Sequence, residues 1–215
     1  MIERLPDAAA CAVRAADIVT EAVDAGDTQL VLAGGTTPML AYELLDGRSL
    51  QWGGVQLWYG DERCVPFDDP DSNHFQVAAR LHAPGASWHP MPGPQGPVRG
   101  AELYAAELAD TPLGLVLLGM GPDGHTASLF PDHAALDAVG RVTGIDDSPK
   151  PPPERITLTL GAINAAGRIV LIVTGAEKAA ALARVLDGPD RSTPASLLAR
   201  DRLTILADAA ALGAT

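Results

Sequence analysis

The chain reads as an α/β protein built on a mostly parallel sheet with helices on both faces. Two observations predict this. Short, continuously apolar runs of strand length alternate with segments whose apolar residues recur at helical spacing, and a strand without polar alternation is one buried on both sides. Most of these runs are also followed directly by a glycine-bearing turn, the punctuation of strand–loop–helix units. At 215 residues the chain suits one domain, or one core with a small extra lobe. A chain of this size buries roughly 70% of its unfolded surface without a metal or disulfide staple.

In order, residues 7–25 place Ala12, Ala15, Ala16, Val19 and Val23 at helical spacing, with Gly26 positioned to end the helix. QLVLA at 29–33 is a strand, GGTTP the turn after it, and MLAYELLDG at 39–47 a helix ended by glycine. VQLWY at 55–59 is the next strand, followed by a polar loop and a helical segment at 73–83. The Pro- and Gly-dense stretch 84–97 reads as a long connection. LGLVLLG at 113–119 is a strand running into GPDGHTASLFP, and DDSPKPPP at 146–153 is a second long connection. RITLTL at 155–160 and RIVLIVT at 168–174 are further strands of the same series. Gly175 leads into a helix at 177–187, and LTILA at 203–207 closes the alternation.

Composition narrows the function. With 47% hydrophobic and 20% charged residues the chain is too apolar for disorder, yet its apolar runs fall far short of the roughly 20 residues of a membrane helix. The N-terminus MIERLPDAAA lacks the apolar core of a secretory signal, so a cytoplasmic location is expected. A net charge of −12, from 27 acidic against 15 basic residues, opposes nucleic-acid binding and makes the positions of the scarce cations informative. The two cysteines, Cys11 and Cys64, have no CxxC spacing, which fits a reducing compartment; Cys11 reads as a core residue. No histidine pair has the i, i+4 spacing of a helical zinc site, so no metal is expected.

In open parallel sheets ligands bind beyond the carboxyl ends of the strands, so the loops there carry the candidates. Gly34, Gly35, Thr36 and Thr37 lie between a strand and a helix that can take Thr37 as N-cap and Pro38 as first residue. The loop is either a tight turn with a good cap or a phosphate cradle at a helix N-terminus. Asp61, Glu62 and Arg63 follow VQLWY as a solvated turn or as an anion contact through Arg63, with Asp61 orienting it or meeting sugar hydroxyls. Ser72 is expected to cap the next helix, and Asn73 either caps it or lines the same cleft. In Gly119-Met120-Gly121-Pro122-Asp123-Gly124-His125-Thr126, Asp123 can fix the imidazole tautomer of His125 and leave its other nitrogen as a general base. No GxSxG nucleophile elbow exists, and Ser128 reads as a helix-surface or capping residue, so activated water is favoured over a covalent nucleophile.

The segments LAGGTTPMLAYELL (32–45), WYGDERCVPFDDPDSNH (58–74), LLGMGPDGHTASLFP (117–131) and PKPPPERITLTLGAIN (149–164) together resemble the 6-phosphogluconolactonase family, as do VTGAEKAAAL (173–182) and LTILADAAAL (203–212). The resemblance implies a modified Rossmann-like sheet and cofactor-free hydrolysis of a phosphorylated sugar lactone, 6-phospho-D-glucono-1,5-lactone. By the same resemblance His125 is the general base and Asp123 its support, while Arg63, Lys150 and Arg155 are anion contacts joined by the 34–37 loop. Lys178 in GAEKA is similar to a phosphate-contacting lysine of the wider group, or is simply exposed at a helix start. Backbone N–H groups around Gly124, or a nearby Arg, are the candidate oxyanion donors.

Two other functions compete. The related glucosamine-6-phosphate deaminases share the first loop and an Asp-Gly-His turn, but are expected to show DEY and a GHIGFNEP-like continuation where this chain has DER and GHTASLFP. A non-catalytic sugar-phosphate sensor would carry a DNA-binding module, for which the chain has no spare length. The expected partner is therefore a small phosphorylated lactone, with neither nucleic acid nor membrane, and the chain is expected to be a monomer.

Overall fold

The computed structural model of the chain describes residues 1–213. In chain order the strands and α-helices are β1 (Ile2–Leu5), α1 (Ala8–Asp24), β2 (Gln29–Leu32), α2 (Thr36–Asp46), β3 (Gln56–Tyr59), β4 (Asp61–Arg63), α3 (Asn73–Ala78), β5 (Ser87–Trp88), α4 (Pro97–Leu108), β6 (Leu115–Gly119), β7 (Val142–Ile145), β8 (Arg155–Leu158), α5 (Leu160–Asn164), β9 (Arg168–Val173), α6 (Ala179–Asp187) and β10 (Leu203–Asp208).

Seven strands form one sheet in the order β1-β10-β9-β6-β2-β3-β5, and every neighbouring pair is parallel. Its central strands are the continuously apolar runs: Leu30, Val31, Val116, Leu117, Leu118, Val170 and Leu171 are all at most 1% exposed. Burying such a side chain stabilises by about 1.5–3 kcal/mol, so these runs have little choice but the middle of a sheet covered on both faces. α1 and α2 pack on one another, and α4 reaches the sheet through Tyr104, whose hydroxyl accepts the Tyr59 N–H at 2.8 Å. From β2 the sheet grows through β3 to β5 on one side and through β6, β9 and β10 on the other. The connection therefore changes direction between β2 and β6, where a crevice opens at the strands' carboxyl ends.

RITLTL departs from the expected series. Instead of joining the large sheet, β8 lies in a separate antiparallel sheet of order β4-β8-β7, pairing Asp61 with Thr157 and Arg63 with Arg155. The alternation of polar and apolar residues in Arg155-Ile156-Thr157-Leu158 suits this two-faced strand better than a continuously apolar one. Gly60 joins the two sheets: its N–H donates to the Leu32 carbonyl at 2.9 Å and its own carbonyl accepts the Leu158 N–H at 2.8 Å.

Smaller departures lie at element ends. α2 begins two residues before Pro38, with Gly35 (φ +103°) and not Thr37 at the N-cap. The 73–83 segment is helical only to Ala78, capped by the Ser72 hydroxyl as expected. The connection 84–97 holds β5 and a short 3-10 turn at Gly93–Gln95. The edge strands β1, β4, β5 and β7 and the helices α4 and α5 are additions to the sequence-based series, and α5 takes up Leu160, the last residue of the expected strand 155–160. Among the described residues no helix is long and apolar enough to cross a membrane.

Candidate active site

The loops after β2, β6 and β9 leave adjacent strands at the same edge and, with β4 and the 146–153 connection, enclose a cleft of about 370 Å³. Four cations, Arg63, Lys150, Arg155 and Lys178, line it against the acids Asp61 and Glu177, so the cleft is locally positive in a chain of net charge −12. Among the described residues, no group of three or more His, Cys, Asp or Glu side chains converges as a metal site.

On the β2 side the 34–37 loop forms the cleft wall. Gly34 is required by close approach: a Cβ there would stand 2.1 Å from Oδ1 of Asn73. Among the described residues no side chain caps α2, so the N–H groups of its first turn keep their capacity for an anion. Thr37 meets Thr174, beyond β9, through a 2.6 Å hydroxyl contact that ties the two loops together.

At the end of β3 the three charged residues divide their work. Glu62, 1% exposed, turns away from the cleft; its carboxylate accepts the N–H groups of Arg63, Asn73 and His74 at 2.6–2.8 Å and the Ser72 hydroxyl at 2.9 Å. Burial raises its pKa, and these donors only partly oppose the shift. Asp61 lines the cleft, held by the Asn73 amide, which donates to its carbonyl at 2.8 Å and to Oδ1 at 3.3 Å. Oδ2 of Asp61 accepts the hydroxyl of Ser128 at 2.7 Å. Ser128 is thus fully buried and holds a cleft carboxylate, which corrects its expected role as a helix-surface or capping residue. Arg63 lines the cleft with Nη1 donating to the Asp71 carbonyl at 2.6 Å, while its buried Nε has no partner among the described residues.

Arg155 is 5% exposed and donates from Nε and Nη2 to the carbonyls of Pro152, Pro151 and Lys150 at 2.7–3.2 Å, so it shapes the 150–152 loop as well as facing the cleft. Burial pulls its pKa down, with Asp61 opposing, but a guanidinium stays charged across the physiological range.

The loop after β6 is a closed turn in which Gly121 donates to the His125 carbonyl at 2.9 Å and Gly124 donates to the Gly121 carbonyl at 3.0 Å. The imidazole of His125 lies directly on Gly121, where a Cβ would be 2.0 Å from Nδ1, and the Phe130 ring stands beside it, 4.9 Å between centroids. Nδ1 is 2.5 Å from Oδ1 of Asp123. With the Nδ1 proton directed at that carboxylate, Nε2 has no protein partner among the described residues, and the ring lines the cleft. Lys150 Nζ approaches both Asp123 oxygens at 3.2 and 3.3 Å and Nδ1 at 3.1 Å. Burial works against the charge on Asp123, but His125 and Lys150 outweigh it and hold the carboxyl far below the usual aspartate range.

Gly124 is a correction. Its N–H is taken by Gly121, its carbonyl accepts the Ala195 N–H at 2.9 Å, and it abuts Thr193 instead of lining the cleft, so its amide is not a free donor for an oxyanion. Lys178, preceding α6, does line the cleft; burial lowers its pKa, with Lys150 adding to the fall and Glu177 and Asp123 opposing it. Glu177, an exposed carboxylate at the rim, was not anticipated; the only sign of it was its place beside Lys178 in GAEKA.

Residues 6–206 match the family described as Glucosamine-6-phosphate isomerases/6-phosphogluconolactonase. Over 206 residues the chain is 40% identical to a 6-phosphogluconolactonase of Mycobacterium leprae, a match covering 85% of this chain and 83% of that protein. The crystal structure of a 6-phosphogluconolactonase from Shewanella baltica superposes with a TM-score of 0.85 at 28% identity, covering 97% of each chain. A monomeric glucosamine-6-phosphate deaminase superposes with a TM-score of 0.86 over 100% of this chain and 99% of its own, but at 21% identity this is a likeness of fold alone.

Proposed function

The chain belongs to the glucosamine-6-phosphate isomerase/6-phosphogluconolactonase family, and from that premise we propose that it hydrolyses 6-phospho-D-glucono-1,5-lactone to 6-phospho-D-gluconate, the second step of the oxidative pentose phosphate pathway, with His125 as general base. The observation that carries this is the Asp123–His125 pair, 2.5 Å apart, whose open Nε2 faces a cationic cleft at the strand switch point.

Nε2 takes a proton from water as its oxygen attacks the lactone carbonyl carbon. The carbonyl becomes a tetrahedral oxyanion, the bond from that carbon to the ring oxygen breaks, and the imidazolium returns the proton to the departing oxygen. Asp123 fixes the tautomer and stabilises the transient imidazolium. Arg63 and Arg155, whose backbone contacts leave guanidinium nitrogens for substrate, are the nearby arginines suited to the oxyanion or the phosphate. The phosphate is assigned to the 34–37 loop and Lys178, which together offer first-turn N–H groups and an ammonium. Holding the phosphate at one end converts binding energy into orientation of the carbonyl at the other.

The test generates the lactone in situ from glucose 6-phosphate and follows its disappearance above the spontaneous rate. His125→Ala is expected to lose about 10²–10⁴-fold in kcat/KM. Turnover near that of the unaltered enzyme would remove His125 from the mechanism, and release of ammonia from glucosamine 6-phosphate would replace the lactonase assignment with deamination.

A further inference from the structure

Lys150 occupies a place that a substrate anchor does not need. An ammonium has only donors to offer, yet its Nζ stands 3.1 Å from Nδ1 of His125, a nitrogen already paired at 2.5 Å with Asp123. With the Nδ1 proton on that short contact, Nζ cannot also donate to Nδ1, so its approach to the ring follows from its pairing with the same carboxylate. It donates instead to Oδ1 of the carboxylate at 3.3 Å, with Oδ2 in ion-pair contact at 3.2 Å. The lysine is delivered there by a braced loop: its N–H donates to the Ser148 hydroxyl at 3.2 Å, and its carbonyl accepts from that hydroxyl at 2.9 Å and from Arg155 Nη2 at 3.2 Å.

We propose that Lys150 is a positioning residue that fixes the Asp123 carboxylate and offsets its charge, so that His125 stays neutral and ready to accept a proton from water. This rests on His125 being the base. An aspartate alone beside an imidazole favours the doubly protonated ring, which is useless as a base; a lysine sharing that carboxylate cancels much of the effect. The neighbouring charges do not duplicate it. Lys178 and Glu177, from the segment after β9, bring opposite signs; Asp61 lines the cleft with Arg63 and Arg155 on the small sheet; and His133 has its own carboxylate, Asp147, at 2.7 Å.

The imidazole of His125 is titrated by NMR in the substrate-free protein, unaltered and as Lys150→Met and Lys150→Arg, with thermal melts establishing that each variant is folded. The midpoint is expected to rise by about one pH unit in Lys150→Met and to stay near its original value in Lys150→Arg. The acid limb of kcat/KM is expected to move upward with it. A midpoint that stays or falls in Lys150→Met, or that rises equally in Lys150→Arg, overturns the proposal. If the lysine only anchored substrate, its loss in Lys150→Met would raise KM and leave the midpoint still. Because the titration needs no turnover, it fails or succeeds separately from His125→Ala, which tests the base itself.

Discussion

Glu62 and Asp123 are both carboxylates in strand-end loops, and both have a full set of partners, but the partners differ in kind. Glu62 is met only by neutral donors, three backbone N–H groups and a hydroxyl, and burial leaves it harder to ionise than an ordinary glutamate. Asp123 is met by an ammonium and an imidazole, and is easier to ionise than an ordinary aspartate. A carboxylate satisfied by backbone amides braces the start of α3 and so sets Asn73 and Arg63. One satisfied by groups that carry or exchange protons passes its charge on to them.

The distinction breaks most visibly in turnover. Asp123→Asn is expected to lose about 10²–10⁴-fold in kcat/KM, since an amide neither enforces the tautomer nor stabilises the imidazolium; lactone hydrolysis close to that of the unaltered enzyme would make Asp123 as architectural as Glu62. Next in size is a stability effect on the other side. Glu62→Ala strands buried N–H groups at a cost of about 2 kcal/mol, lowering Tm by about 4–8 °C in a chain of this size. An unchanged melt would show that α3 does not depend on this brace.

The smallest effect concerns the pH dependence of stability, measured by urea denaturation of Glu62→Gln and Asp123→Asn. The stability that Asp123 contributes is present above the ordinary aspartate range and is lost as pH falls toward its depressed value. Glu62, with its pKa raised, contributes most below the ordinary glutamate range and loses that contribution as pH climbs through its elevated value. Relative to the unaltered protein, Glu62→Gln should therefore improve with rising pH, while Asp123→Asn should improve with falling pH. Parallel slopes would mean that the two environments are not opposite.

The large sheet was legible because its strands are buried on both faces and so are written as unbroken apolar runs such as Leu115–Leu118 and Ile169–Val173. Short edge strands leave no such trace: β5 has two residues and β1 has none that is fully buried. β8 did carry a signal, the alternation in Arg155–Leu158, which belongs to an antiparallel strand and was outweighed by its place in the series. In the cleft, residues whose type is unusual for their position stood out: glycines beside an Asp-His pair, and cations in an acidic chain. Ser128 and Glu62 did not, because what makes them matter is a partner distant in sequence, Asp61 sixty-seven residues away for one and the α3 N-terminus for the other. Gly124 misled for a related reason, since a glycine needed for a turn and one needed for a ligand look identical until the direction of its N–H is known.

Every group assigned to the chemistry lies on a connection, at the first turn of α2 or on the small antiparallel sheet, and none lies within the ladder from β1 to β5. Innovation is therefore cheap in this architecture. A duplicated copy can acquire a new reaction by rewriting a few exposed turns while it inherits an intact frame, and the descent of several chemistries from one ancestor needs no reinvention of the scaffold.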